Sequence, residues 1–268
     1  MTDRIDRPDG SGHSAPRERQ EGVAFIDLHC HTRASFDCLS SPADVVRLAA
    51  ERGLTHIVIT DHDRIDGALE ARAAGPAGLT VIVGEEVKTS EGDLICVFLE
   101  RAIPPGLTAA ATIAAARAQG ALVGVPHPFD SFRGSMGRGD QLATIAPLVD
   151  WIEGHNARLV GNGNGQAIDF ALEHERPVVA VSDAHSLIEI GVAYTALDGD
   201  PSTAAGLLEA LGSAELVPGR ASYFVRLLTP ISKVVQRARG NGRIQPAPPN
   251  GPAPDESSAD EPTPADRR

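Results

Sequence analysis

Short apolar runs alternate with longer stretches of helical periodicity along most of the chain. The runs are Val23–Leu28, Ile57–Thr60, Leu79–Val83, Leu94–Phe98, Ala121–Val125, Trp151–Ile152 with its neighbours, and Val178–Val181; they read as strands. Between the first two, Ser41-Pro42 supplies an N-cap and a first-turn proline, Ala43–Arg52 continues the helix, and Gly53 closes it. Thr108–Gln119 ends at Gly120 in the same way, and Asp66–Ala74, Leu159–Glu175, Pro201–Leu211 and Pro230–Arg239 are further helices. There is no internal repeat. Strands alternating with helices of about ten to fifteen residues imply parallel βα units, and six or seven of them suggest a barrel of triosephosphate-isomerase type rather than an open sheet.

Six of the strands end in side chains able to hold a metal. The endings are Asp27-Leu28-His29, Thr60-Asp61-His62, Gly84-Glu85-Glu86, Val125-Pro126-His127, Glu153-Gly154-His155 and Ser182-Asp183-Ala184-His185. In parallel barrels the active site lies at the carboxyl ends of the strands, so this repeated placement outweighs any single motif. In His29-Cys30-His31 the period of two turns both imidazoles to one face and Cys30 away. Two imidazoles so placed grip Zn, Mn or Fe. Asp183-Ala184-His185 repeats the spacing with a carboxylate first. With His62, Glu86 and His127 the candidates exceed the roughly three protein ligands of one catalytic ion, so two or three ions are implied. Paired ions suit the splitting of phosphate esters.

Composition narrows the frame. Of 268 residues, 1–22 carry one aliphatic, Ile5, and 240–268 carry seven prolines and one aliphatic, Ile244. Both ends read as disordered, which leaves 23–239 as one barrel-sized domain. The net charge is −12, and most of the excess acid lies on that core, which disfavours binding to duplex nucleic acid. Three cysteines with no CxxC spacing support neither a disulfide framework nor a zinc knuckle and fit a reducing cytoplasm. No export signal and no membrane span are expected.

These residues resemble the PHP (polymerase and histidinol phosphatase) family of metal-dependent phosphoesterases. The resemblance runs from Asp27-Leu28-His29-Cys30-His31 through Thr60-Asp61-His62-Asp63, Gly84-Glu85-Glu86-Val87, Pro126-His127-Pro128-Phe129-Asp130 and Glu153-Gly154-His155-Asn156-Ala157-Arg158 to Ser182-Asp183-Ala184-His185. It implies an α/β fold, a distorted (β/α)7 barrel, holding two or three divalent ions, usually Mn, Zn or Fe. By position, His29, His31, Asp37, His62, Glu86, His127, Asp183 and His185 match the family's ligands. Many members have a histidine a few residues after the conserved glutamate, where this chain has Asp93, which bears on the third ion. A second departure is His155, where an aromatic residue commonly precedes the asparagine. The implied reaction is in-line attack on phosphorus by a metal-bound hydroxide, with His185 and Asp37 as catalytic candidates. Arg133, Arg158, His155 and Asn156 are candidates for holding the substrate.

The expected substrate is a small phosphate ester, a nucleotide or a metabolite. Two alternatives stand beside it. One is an amidohydrolase-like C–N hydrolase; its lysine-bridged form is disfavoured because Lys88 and Lys233 are the only lysines. The other is a non-catalytic, metal-binding regulatory module. His13, His56 and His174 are read as non-ligands, Glu85 as facing away from Glu86, and Cys38 as structural.

Overall fold

The computed structural model describes residues 21–130, 135–136 and 140–246. The apolar runs become β1 (Val23–Asp27), β2 (His56–Ile59), β3 (Thr80–Lys88), β4 (Asp93–Val97), β5 (Leu122–Val125), β6 (Trp151–Asn156) and β7 (Val178–Val181). Two more strands, β8 (Tyr194–Asp198) and β9 (Glu215–Val217), follow beyond the expected set. The helices are α1 (Pro42–Glu51), α2 (Asp66–Ala74), α3 (Ala109–Arg117), α4 (Gln141–Ile145), α5 (Gly163–Glu173), α6 (Ala204–Ala210) and α7 (Tyr223–Ala238). In α1 the Ser41 hydroxyl accepts from Asp44 N at 3.1 Å, as its N-cap position requires. Gly53 then leaves the helix at φ +83°, a conformation in which glycine alone escapes a steric penalty.

The strands form one sheet in the order β7-β6-β5-β4-β3-β2-β1-β8-β9, curled into a nearly closed barrel. Alternate residues on each strand face inward and outward. Ile26, Val58, Ile82, Ile95, Trp151 and Val179 fill the interior, while Phe25, Ile57, Val81, Val123 and Ile152 pack outward in the layer shared with the helices. Both faces are buried, which is why the strands read as unbroken apolar runs. Trp151 is fully buried, and its indole lies where a Cβ on Gly124 of the neighbouring strand would fall, 2.1 Å from Cε2.

The parallel βα rule holds for β1–β2, β2–β3, β5–β6 and β6–β7. It fails at β4, which is antiparallel to both β3 and β5. The cause is local: Thr89 N donates to Gly92 O at 2.9 Å, closing a tight turn that leaves no space for a crossover helix. The barrel closes along a split seam. Near its start β1 pairs antiparallel with β8; beyond its end, Cys30 bridges in parallel to Ala184 after β7. Asp183 N donates to His29 O (2.9 Å) and His31 N to Ala184 O (3.0 Å). Between β7 and β8 the Thr195 hydroxyl accepts from Ala180 N and donates to Ala180 O, both at 2.9 Å.

The expected tails fall mostly outside the described residues, but 240–246, assigned to a disordered tail by composition, are held on the barrel. Asn241 Nδ2 donates to the carbonyls of Arg33 (3.1 Å) and Ala34 (3.0 Å), and Pro246 lies against Gly106. Polar anchors rather than apolar burial hold this segment, so a count of hydrophobic residues does not reveal it.

Candidate metal centre

At the carboxyl ends of the strands, residues expected as ligands converge on a cavity of about 450 Å³. His29 and His31 follow β1, Asp37 lies in the loop before α1, His62 follows β2, Glu86 sits in β3, His127 follows β5, and Asp183 and His185 follow β7. All are buried or nearly so. His127 (φ +28°) and Asp183 (φ +51°) hold left-handed backbone that non-glycine residues adopt only at a cost, a strain common at functional sites.

Glu86 lies at the middle. Its Oε2 is 3.4 Å from Nε2 of both His29 and His31 and 3.1 Å from His62 Nδ1, while Oε1 is 3.3 Å from His127 Nε2. Asp183 Oδ1 is 3.7 Å from the same two Nε2 atoms. Two overlapping groups have their ligand atoms within 4.8 Å of one another: His29, His31 and Asp183, and His31, His62 and His185. Asp37 joins the second, with Oδ2 3.6 Å from His62 Nε2 and Oδ1 3.4 Å from His185 Nε2.

The hydrogen-bond pattern tests whether cations belong here. His29 Nδ1 donates to Glu153 Oε1 at 2.6 Å. The Ser35 hydroxyl gives its hydrogen to Asp61 (2.9 Å), so it accepts from His31 Nδ1 at 3.0 Å. With both Nδ1 hydrogens engaged, the two neutral imidazoles present Nε2 lone pairs to each other at 3.0 Å. Two lone pairs at that distance are reconciled by a positive charge between them, a proton or a metal cation, and Glu86 and Asp183 supply the balancing negative charge. His185 repeats the pattern: Nδ1 donates to Asp183 O at 2.9 Å, which leaves the Nε2 lone pair facing Asp37. Imidazole nitrogens mixed with carboxylate oxygens suit Zn, Fe or Mn, so the residues fit divalent cations. The surrounding acids favour positive charge at this place: burial works against a charged His29, yet Glu153, Asp183 and Glu86 together hold it well above the usual imidazole range, and a metal cation would take the place of that proton. Burial, followed by His185 and His62, pushes His31 well below it.

Glu153 is the main residue that sequence reasoning left without a role. Besides His29, it accepts from His127 N (2.9 Å) and Asn156 Nδ2 (2.9 Å), linking three strand ends. Its signal in the sequence is its place in the set of strand-end acids. Asn156 also donates to Asp183 Oδ2 at 3.0 Å, so its amide joins ligand-holding acids instead of reaching for substrate. His155 is likewise corrected: its Nε2 donates to Gly219 O at 2.7 Å, and it does not line the cavity. The reason is a bulge between Glu153 and His155, which breaks the period of two and brings Asn156 inward in place of His155.

Arg158 lines the cavity, its Nη2 donating to Thr229 Oγ1 at 2.6 Å; Arg133 lies outside the described residues. Asp61 is buried and takes hydrogen bonds from Thr32 N and Oγ1, both 2.7 Å, which fix the loop carrying Asp37. Glu85 turns away from Glu86 and accepts from Ile103 N at 2.8 Å; burial raises its carboxyl to about 8. Asp93 lines the cavity but is paired to Arg243 at 3.2 Å. His56 bonds Ser202 at the far end of the barrel, His174 stacks on Phe170, and His13 lies outside the described residues.

The family model for the PHP domain matches residues 27–159, and that for the PHP-associated segment matches 155–216. An uncharacterized protein of Methanocaldococcus jannaschii is 33% identical over 122 residues, covering 41% of this chain and 71% of that one. An error-prone DNA polymerase of Cutibacterium acnes is 44% identical over 73 residues, 26% of this chain and 6% of the polymerase. Among solved structures, a two-domain protein of Bacteroides vulgatus containing a predicted PHP-like metal-dependent phosphoesterase superposes with a TM-score of 0.60 at 21% identity, over 79% of this chain and 66% of that one. Endonuclease Q bound to a 27-mer duplex with an abasic lesion superposes with a TM-score of 0.51 at 16% identity, over 71% and 57%. The two matched models adjoin and together take in every expected ligand from His29 to His185; the chain belongs to the PHP domain family.

Proposed function

We propose that the protein is a metal-dependent phosphoesterase acting on a small phosphate ester, a nucleotide or a metabolite. The observation that carries this reading is the facing pair of Nε2 lone pairs on His29 and His31, backed by Glu86 and Asp183. His29, His31 and Asp183 would hold one divalent ion and His62, His185 and Asp37 a second, with Glu86 between them and His127 on its other oxygen; the Asp93 position, paired to Arg243, favours two ions over three. When bound, such ions supply positive charge for phosphoryl oxygens and bring the pKa of water down to about 7. Glu153 fixes the tautomer of His29 so that Nε2 faces the site. His185, with Nδ1 held by the Asp183 carbonyl, has only Nε2 to offer; as a ligand of the second ion it would spend that nitrogen on the metal, so it serves as a ligand beside Asp37 and not as the proton donor to the leaving oxygen. Arg158 on the cavity wall offers a fork for phosphate.

No lysine stands among the candidate ligands, which speaks against a lysine-bridged amidohydrolase centre: Lys88 is exposed, and Lys233 lies on the wall beside Phe36. A bounded cavity on a chain of net charge −12 favours small esters over a duplex. No helix among the described residues is long and apolar enough to cross a membrane, and the three cysteines are buried and unpaired, as suits the cytoplasm.

The test is to load metal-free protein with Mn or Zn, measure metal per chain, and follow phosphate release from nucleoside monophosphates, bisphosphates, histidinol phosphate and short oligonucleotides. Turnover of a small ester, lost in His29→Ala along with bound metal, is expected. Turnover of oligonucleotides alone would favour a nuclease, and tight metal binding without turnover would favour a regulatory module.

A further inference from the structure

The cavity wall carries cations that the ligand set does not use. Arg243 comes from the segment after α7, beyond the two matched family models, and Lys233 from α7 itself. That part of the chain is tied down firmly. Gln236 Nε2 donates to the carbonyls of Arg33 (2.6 Å), Ser35 (2.9 Å) and Cys38 (2.7 Å), and Asn241 adds bonds to Arg33 and Ala34. These are backbone groups of the loop that carries Asp37, so the end of the described chain is fixed to the centre's own loop.

Arg243 is oriented as well as placed. Its Nε donates to Asp63 Oδ2 at 3.1 Å and its Nη2 to Asp93 Oδ1 at 3.2 Å, and both acids are buried. Asp63 is itself held, its other oxygen accepting from Lys88 N at 2.8 Å. A guanidinium has five N–H donors. Those two bonds fix one edge of the fork on a side chain that lines the cavity. The Phe36 ring stands 4.9 Å from that of His62, with Arg243 5.5 Å and Lys233 5.3 Å from its centre. Both cations pack near the Phe36 ring, and Arg243 is close enough to the centre for its charge to act on His62 and Glu86. Neither belongs to the set of candidate ligands, so both remain on the wall to meet an anionic part of the substrate.

We infer that Arg243 and Lys233 form a receptor for a second anionic group, so that the preferred substrate is a phosphate ester bearing another phosphate or a carboxylate beside the one cleaved. This rests on the phosphoesterase reading above. Arg243 contributes direction through its fork, Lys233 a mobile point charge, and Phe36 an apolar surface beside both.

The experiment uses the full chain loaded with Mn, its metal content checked, and three substrates on one leaving group: 4-carbamoylphenyl phosphate, 4-carboxyphenyl phosphate and 1,4-phenylene bisphosphate. The wild type is expected to favour at least one charged substrate over the carbamoyl compound by tenfold or more in kcat/KM. Arg243→Gln and Lys233→Ala should each cut that preference at least fivefold, mainly through KM, and Arg243→Lys should restore part of it. The charged compound that loses its advantage identifies phosphate or carboxylate as the second group. A wild-type preference below threefold, or variants that lose charged and neutral substrates in equal proportion, would overturn the proposal. Lys233 is exposed, so its variant reads the receptor even if Arg243→Gln fails to fold. If the wild type cleaves none of the three, the phosphoesterase reading fails separately, and calorimetry with the same compounds decides the receptor. Charged compounds binding tenfold tighter in the wild type but not in Lys233→Ala would uphold it, and equal binding would overturn it.

Discussion

At the scale of single residues, the centre depends as much on how its ligands are held as on which they are. Glu153 illustrates this, because its buried carboxylate joins His29, the backbone of His127 and the amide of Asn156. Carboxylates that orient a ligating histidine typically account for about 10- to 100-fold in metal affinity. Glu153→Gln should therefore weaken metal binding by that factor, read by competition with a chromogenic chelator, while the fold measured by circular dichroism stays intact. Most candidate ligands were legible in the sequence because a period of two and strand-end placement bring them together, whereas Asp37, in the loop before α1, and the choice of Glu86 over Glu85 rested on the family resemblance. Asn156 and His155 were not, because a one-residue bulge exchanges them and a bulge leaves no mark in an apolar pattern. A different residue sets a pH dependence. Burial lowers the pKa of His56 against the opposing pull of Asp200, so the folded protein keeps it neutral where the unfolded chain would protonate it. Its contribution to stability is thus full above pH ~6.5 and lost as the pH falls toward its lowered value. Urea unfolding at pH 7.5 and 5.5 should show a smaller acid loss in His56→Gln than in the wild type.

At the scale of elements, the packing of the barrel interior turns on one close contact between neighbouring strands. Trp151 occupies the interior because its register partner on β5 is Gly124, and a methyl group there would enter the indole. Gly124→Ala should cost about 1–3 kcal/mol or more, as overpacking does, with the midpoint of urea unfolding lowered and the fluorescence of the sole tryptophan altered. The first seven strands and most helices could be read from the chain, since buried strands give continuous apolar runs. The direction of β4 could not, because an apolar run looks the same in either orientation and the turn at Thr89–Gly92 decides it. Helix α7 begins at Tyr223 and carries Pro230 inside it, although the proline reads as a helix start.

At the scale of the molecule, a cluster of buried acids and imidazoles is a liability that bound cations turn into a support. An ion at about 100 times its dissociation constant adds about 2.7 kcal/mol to stability, and in a domain of this size 1 kcal/mol moves Tm by about 2–4 °C. Removing metal with a chelator should accordingly lower Tm by about 5–10 °C in scanning calorimetry, and adding Mn or Zn back should restore it. The excess of acid along the chain is in keeping with such a centre, whereas the grip of residues 240–246 on the barrel did not show in composition, because the side chains of Asn241, Arg243, Asp63 and Asp93 and two carbonyls accomplish it.

The split seam of the barrel also bears on when the protein can become active. The histidines after β1 leave the ribosome early, but their partners Asp183 and His185 follow β7, and Arg243 is made later still. Chains fold progressively from their first-made parts during synthesis, at about 5–20 residues per second. A half-made chain therefore displays the paired histidines without the acid that completes their cation site. The cluster proposed to hold the first cation is thereby complete only after the seventh strand has come round to meet the first.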